Sequence, residues 1–387
     1  MSPLPSTTAR ALPAISLAVM LLVAAAPAAG EGWKKHVVRE GLPNLTAVAG
    51  DFSGDGLPDI MFNAGRRTRL LVAPDWKEVF VNDEVQLDCI HSEVMDVDGD
   101  GDLDFIGAPY PGPVFWLERP AKPLSEPWSY HLVDDQVKGI HGLLTGDVDR
   151  DGKLDLLATS ALPQGQFASS LVWLKVPKNP RTASSWQRHV FADGDAPGLS
   201  HYLGMGDVNG DGLPDVASAA KGGPTDVEGK GNWFAWWQAP KDPTGVWTKH
   251  LIAGNEPGAT NIHPADVNGD GETDFIASRG HGRGVIWFEA PDWRVHDIHA
   301  TLKEPHSLVA TDMDGDGDID AATCAYGDKQ AWWFENDGKG RFRNHLVGRS
   351  QEAYDIRAVD IDVDGDLDLL IAGRGSNNVV WFENPRK

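Results

Sequence analysis

Four kinds of apolar run recur in a fixed order along the chain. Each is of strand length, rich in β-branched and aromatic residues, and bounded by Gly, Pro or Asp. The first kind leads into an aspartate, as His306–Thr311 does. The second follows a short acidic turn, as in Asp320–Ala325 and Asp368–Ala372. The third is aromatic: Val114–Leu117, Leu171–Leu174, Val285–Phe288, Trp332–Phe334 and Val379–Phe382. The fourth reads Trp-x-x-His-x-apolar at Trp128/His131, Trp186/His189 and Trp247/His250, with close variants at Trp293/His296 and Phe342/His345. Four β-strands per unit are the expectation.

The acidic turn between the first and second runs sets the count. The pattern D-x-[DNS]-x-D-G-x-x-D occurs seven times, at spacings of 45, 51, 60, 59, 46 and 48 residues. A period of this size with four short strands per unit predicts an all-β, seven-bladed β-propeller. The chain stops just after the third strand of the last unit, and an unmatched fourth strand, Trp33–Val38, stands near its start. That N-terminal strand is expected to complete the last blade and close the ring, leaving no open sheet edge.

The turn has the chemistry of a hard-cation loop, in which alternate side chains offer oxygen. Its first position is Asp51, Asp96, Asp147, Asp207, Asp266, Asp312 and Asp360. The third is Ser53, Asp98, Asp149, Asn209, Asn268, Asp314 and Asp362; the fifth is Asp55, Asp100, Asp151, Asp211, Asp270, Asp316 and Asp364. The ninth is Asp59, Asp104, Asp155, Asp215, Asp274, Asp320 and Asp368. Glycine fills every sixth position, where a sharp turn needs unusual φ, and the seventh varies, as expected if only its carbonyl binds. These turns hold 29 of the 57 acidic residues, and the formal charge of −23 would fall to −9 with seven Ca²⁺ bound. Up to seven Ca²⁺ are therefore expected, more weakly where Ser53, Asn209 or Asn268 replaces aspartate. An EF-hand is excluded, because position 12 is Phe62, Gly107 or Ala158 rather than Glu and strands follow the turn.

Composition adds bounds. The acidic balance argues against a nucleic-acid partner. Residues 1–30 read as a secretory signal: Arg10, an apolar run from Ala14 to Ala26, then small residues at Ala28 and Ala29. Residues 31–387 then form the propeller, secreted or periplasmic, monomeric, and without a membrane span once the leader is removed. Cys89 and Cys324 fall in the second and sixth units, which are not ring neighbours, so no disulfide is expected.

These turns resemble the FG-GAP/VCBS repeats of integrin α-subunit propellers and of many secreted bacterial proteins, over all of the mature chain. The resemblance implies a calcium loop between the first and second strands on one face of the disc. It also puts the starts of the inner strands on the opposite face.

Aligned on their first Asp, those inner strands carry an unusual polar set. Six residues upstream stand His141, His201, His306 and Tyr354, and five upstream His91, Tyr202, Asn261 and Asp355. Three upstream stand Glu93, His263 and Arg357, where other units have Val48, Leu144 or Val309. Loops expected beside them are basic and aromatic: Arg66, Arg67, Tyr110, Lys221, Arg279, His281, Arg283, Tyr326, Lys329 and Arg374. Convergent polar groups on a rigid scaffold predict a ligand site. Three readings stay open. One is a calcium-stabilised module binding a carbohydrate, another polar or anionic molecule, or a protein. The second is a metal-dependent sugar lyase or dehydratase, with Zn²⁺ or Mn²⁺ on the channel histidines, Glu93 or Asp355 as base, and Tyr354 or Arg357 stabilising an oxyanion. The fungal aldos-2-ulose dehydratase propeller is similar in repeat type, although this chain lacks that family's cupin domains. The third is a structural or adhesive propeller. The Trp and His residues of the outer strands are expected to serve packing.

Overall fold

The computed structural model describes residues 32–223, 229 and 231–385; the leader expected over 1–30 lies outside them. Among the described residues, 28 strands form seven four-stranded sheets, all antiparallel, with one short 3-10 turn at Pro180–Thr182. Each blade follows the predicted order from the channel outwards. Blade one, for instance, is Asn44–Gly50, Asp59–Ala64, Arg67–Val72 and Lys77–Phe80.

The last blade comprises Asp355–Val359, Asp368–Gly373 and Asn378–Glu383, and its outer strand is the N-terminal Lys34–Glu40. Lys34 pairs with Glu383 and His36 with Trp381. The ring is thus closed by backbone hydrogen bonds between the two ends of the fold.

Second and third strands are buried on both faces, as their near-continuous apolar sequences require. The buried apolar residues fall into seven clusters, each joining two neighbouring blades. Between blades three and four, for example, Leu157 and Trp173 pack with Val216 and Trp237. Nearest the channel, glycine lets the inner strands close up: a Cβ on Gly142 would lie 2.5 Å from the His201 carbonyl oxygen, and one on Gly204 2.2 Å from that of Ile262. Cys89 and Cys324 are buried and unpaired, as expected.

The outer-strand histidines serve packing. His36, His131, His189, His250, His296 and His345 each stack on a third-strand tryptophan of their own blade, with centroids 3.9–4.5 Å apart. Four of them also hold the third strand's closing glutamate through Nε2, as His131 holds Glu118 at 2.8 Å. These six account for nearly half of the 13 histidines. Of the others, six surround the channel.

Candidate functional site

The acidic turns share one backbone design. In all seven, the position-6 glycine donates its N–H to Oδ2 of the first aspartate at 2.8–3.1 Å. The seventh residue donates to Oδ1 of the fifth at 2.9–3.2 Å. The fourth position is left-handed throughout, at φ between 59° and 83°; it is glycine in five turns but Arg150 and Val363 in the other two.

The ninth aspartate has a second duty. Its Oδ1 accepts a backbone N–H at the end of the third strand in every blade, from the strand's last residue in blade six and the next residue in the others, at 2.7–3.4 Å. Burial pushes its carboxyl up, to about 7 at Asp104, Asp320 and Asp368 and to about 6 at Asp155, Asp215 and Asp274. A cation beside it would reverse that shift.

Calcium fits this donor set. In blades two, three, six and seven, three carboxylates of one turn bring oxygens within 4.8 Å of one another, as do Asp96, Asp98 and Asp104. In blade three, Asp149 Oδ1 and Asp155 Oδ2 are buried without a hydrogen-bond donor, a state a bound cation would relieve. Two turns are also reached by the protein's own cations. Lys175 bonds to Asp149 and, at 2.8 Å, to Asp151; Arg181 lies 2.6 Å from Asp98 and 2.8 Å from Asp100.

The opposite ends of the inner strands surround a cavity of about 350 Å³ at the channel mouth. The expected residues divide there between two depths. His91, His141, His306 and Tyr354 line the cavity, joined by Tyr110, Tyr202, Lys221, His281 and Arg374. His141 stacks on the fully buried His201 at 4.3 Å, and His306 on Tyr354 at 3.8 Å. Arg374 covers Tyr354, 4.5 Å from the ring centre, and the Tyr202 hydroxyl donates to the Tyr354 carbonyl at 3.0 Å. Burial holds His91, His201 and His306 well below the usual imidazole range, and His141 down at about 3, so these rings are neutral at pH 7.

Glu93, Asp355, Arg357 and His263 lie deeper. Arg357 Nη1 bonds Glu93 Oε1 at 3.0 Å, Nη2 bonds the Ser92 carbonyl at 2.9 Å, and Nε lies 3.5 Å from Asp355 Oδ1. Asp355 Oδ2 also accepts from Thr46 Oγ1 at 3.0 Å. His263 Nε2 donates to the Leu308 carbonyl at 3.0 Å. Arg357, Glu93, Asp355 and Thr46 fasten blades one, two and seven, and His263 joins blades five and six, so the geometry commits Glu93, Asp355 and Arg357 to one another, away from the cavity.

Of the loop residues expected on this face, Tyr110, Lys221, His281 and Arg374 reach the cavity, and Tyr326 packs behind it on Tyr354 at 4.7 Å. Arg67, Arg279 and Lys329 instead pair with Asp83, Glu256 and Glu352. Among the described residues no carboxylate pairs with Lys221 or Arg374. A wider groove of about 730 Å³ at the outer rim, beside Phe80, Leu124 and Tyr130, is lined by the carboxylates Asp83, Glu84 and Glu126 and by no histidine, lysine or arginine.

Seven blades around a channel, each with an aspartate-rich turn on one face, define a β-propeller of repeated acidic-turn units. The FG-GAP-like repeat family matches residues 96–158, 207–277 and 312–371, half of the chain, and the protein belongs to that family. No curated protein sequence matches it. Solved structures share the fold at low identity. A lectin of Agrocybe aegerita that recognises non-reducing terminal N-acetylglucosamine is 17% identical, with TM-score 0.55 over 90% of this chain and 87% of that one. A streptogramin B lyase is 12% identical, with TM-score 0.60 over 92% and 99%. The BBS1N chain solved in complex with ARL6DN is 10% identical, with TM-score 0.60 over 92% and 98%.

Proposed function

We propose that the protein is an exported propeller whose acidic turns bind Ca²⁺ and whose opposite face binds a polar ligand, most simply an anionic sugar. The observation that carries this is the cavity at the channel mouth. In a chain of net charge −23, it gathers two cations that pair with no carboxylate among the described residues, three tyrosines and a set of neutral histidines. Aromatic faces suit the apolar faces of a sugar ring, and Lys221 and Arg374 suit its carboxylate. A lectin and a protein-bound propeller among the fold neighbours are compatible with binding as the general role. Glu93 and Asp355, the carboxylates that would serve as bases in an elimination, are tied to Arg357, which favours binding over catalysis. The leader-like first 30 residues support export to the periplasm or beyond.

Titration calorimetry with glucuronate and N-acetylglucosamine tests the cavity. Losing a charged hydrogen bond costs about 1.5–3 kcal/mol, so Lys221→Ala or Arg374→Ala should weaken glucuronate binding roughly 10- to 100-fold. Absence of binding by either sugar, or unchanged binding in both variants, counts against the reading. For the turns, the test is melting temperature in excess chelator, which should fall and recover with Ca²⁺.

A further inference from the structure

One cluster at the edge of the cavity has chemistry of its own: His281 and His306 line it, and His201 is buried beside them. His201, His281 and His306 each place a ring nitrogen within 4.8 Å of the other two. They come from three different segments: the inner strands of blades four and six, and the turn after the second strand of blade five. His201 Nδ1 donates to the Leu199 carbonyl at 2.7 Å, and His306 Nδ1 to that of Tyr354 at 3.1 Å. Both bonds fix the tautomer that leaves Nε2 with a free lone pair, and a backbone acceptor behind the ring is how ligating histidines are usually oriented.

The turn that carries the third ring is fixed through its backbone. His281 sits between two glycines and donates its backbone N–H to the Gly258 carbonyl at 3.1 Å, while Gly280 N–H bonds Thr260 Oγ1 at 2.8 Å. A Cβ on Gly280 would lie 2.7 Å from His306 Cα, so glycine is what lets this turn press against the neighbouring blade. The result is a separation of 3.2 Å between His201 Nε2 and His281 Nε2. Two nitrogens bound to one tetrahedral ion at Zn–N of about 2.0–2.1 Å stand about 3.3 Å apart.

We propose that His201, His281 and His306 hold one Zn²⁺ ion, leaving a fourth position open to the cavity. Three neutral imidazoles, with no carboxylate among the described residues of the cavity wall, select zinc over manganese, which prefers oxygen. For the same reason the ion keeps its full charge and, beside Lys221 and Arg374, favours an anionic fourth ligand. The metal site shares the cavity of the sugar-binding reading but does not depend on it.

The test uses the whole protein, stripped with chelator and returned to excess Ca²⁺ so that the acidic turns are saturated. Zn²⁺ titration should then show one tight site per chain. His281→Ala, at an exposed position on the rim, should weaken it at least 100-fold while leaving the circular dichroism unchanged. Co²⁺ should give the visible bands of a four- or five-coordinate nitrogen site, and His281→Cys should retain the ion and add a thiolate-to-cobalt charge-transfer band. No zinc uptake above calcium, or equal affinity in His281→Ala, overturns the proposal and leaves the 3.2 Å contact as a hydrogen bond between two imidazoles. Glucuronate titrations run alongside separate the two readings. Sugar binding without zinc defeats only the metal site, and zinc binding without sugar defeats only the sugar reading.

Discussion

Replacing Arg357 with methionine keeps the length of the side chain and removes its charge from between Glu93 and Asp355. Glu93 is 9% exposed and Asp355 3%, so neither carboxylate can turn to water to recover its hydration. Breaking a buried pair by deleting one partner costs about 3–5 kcal/mol, chiefly because a charge is left uncompensated. Urea unfolding followed by tryptophan fluorescence, in saturating Ca²⁺ at pH 7, measures this directly. With a urea dependence of about 3 kcal/mol per molar for a large domain, the midpoint should fall by about 1–1.7 M. Neutralising the partners as well, in Arg357→Met/Glu93→Gln/Asp355→Asn, should restore a good part of the loss, since no buried charge then remains unpaired. A cost of less than about 1 kcal/mol for Arg357→Met alone, or a triple variant no more stable than the single one, would contradict this account of the buried charges.

Three further outcomes are expected. Val363 is β-branched, 55% exposed and left-handed at φ 62°, so Val363→Gly should stabilise the fold by about 1 kcal/mol, read as a higher urea midpoint; an unchanged or lower midpoint would show no strain there. Asp320→Ala removes the acceptor of the Asn336 and Met313 N–H groups and should cost at least about 2 kcal/mol, against almost nothing for the exposed Glu272→Ala; equal costs would exclude the pinning role. Burial holds His263 down at about 4, below its unfolded value near 6.5, so its stabilising contribution is complete above about pH 6.5 and is lost as pH falls from there through 4. His263→Gln should therefore show a shallower acid limb in a plot of urea midpoint against pH, and parallel limbs would contradict this.

The repeat count, the strand order and the closing strand were legible because each rests on local chemistry copied seven times. Two features of the same turns were not. The left-handed fourth position is hidden by Arg150 and Val363, although glycine in the other five units is a usable signal. The ninth aspartate reads as a ligand, while its bond to a residue 14 to 24 positions later depends on strand pairing. On the opposite face the right residue types were visible, but their depth was not. Glu93 and Arg357 are 264 residues apart and meet only across the closed channel. The sequence puts His281 in a loop of this face; its turn is directed into the cavity by Gly280 packing on another blade, which no local pattern records.

The seven apolar clusters sit between blades and follow one another around a circuit with no first or last member. Opening one of them leaves every blade still gripped from its other side, so releasing any blade requires two seams to part together. The resulting barrier lies in the rate of unfolding more than in its equilibrium. A molecule built this way withstands proteases through slow opening, and a cut that removed the N-terminal strand would weaken the backbone pairing within a single blade while leaving the other six sheets intact.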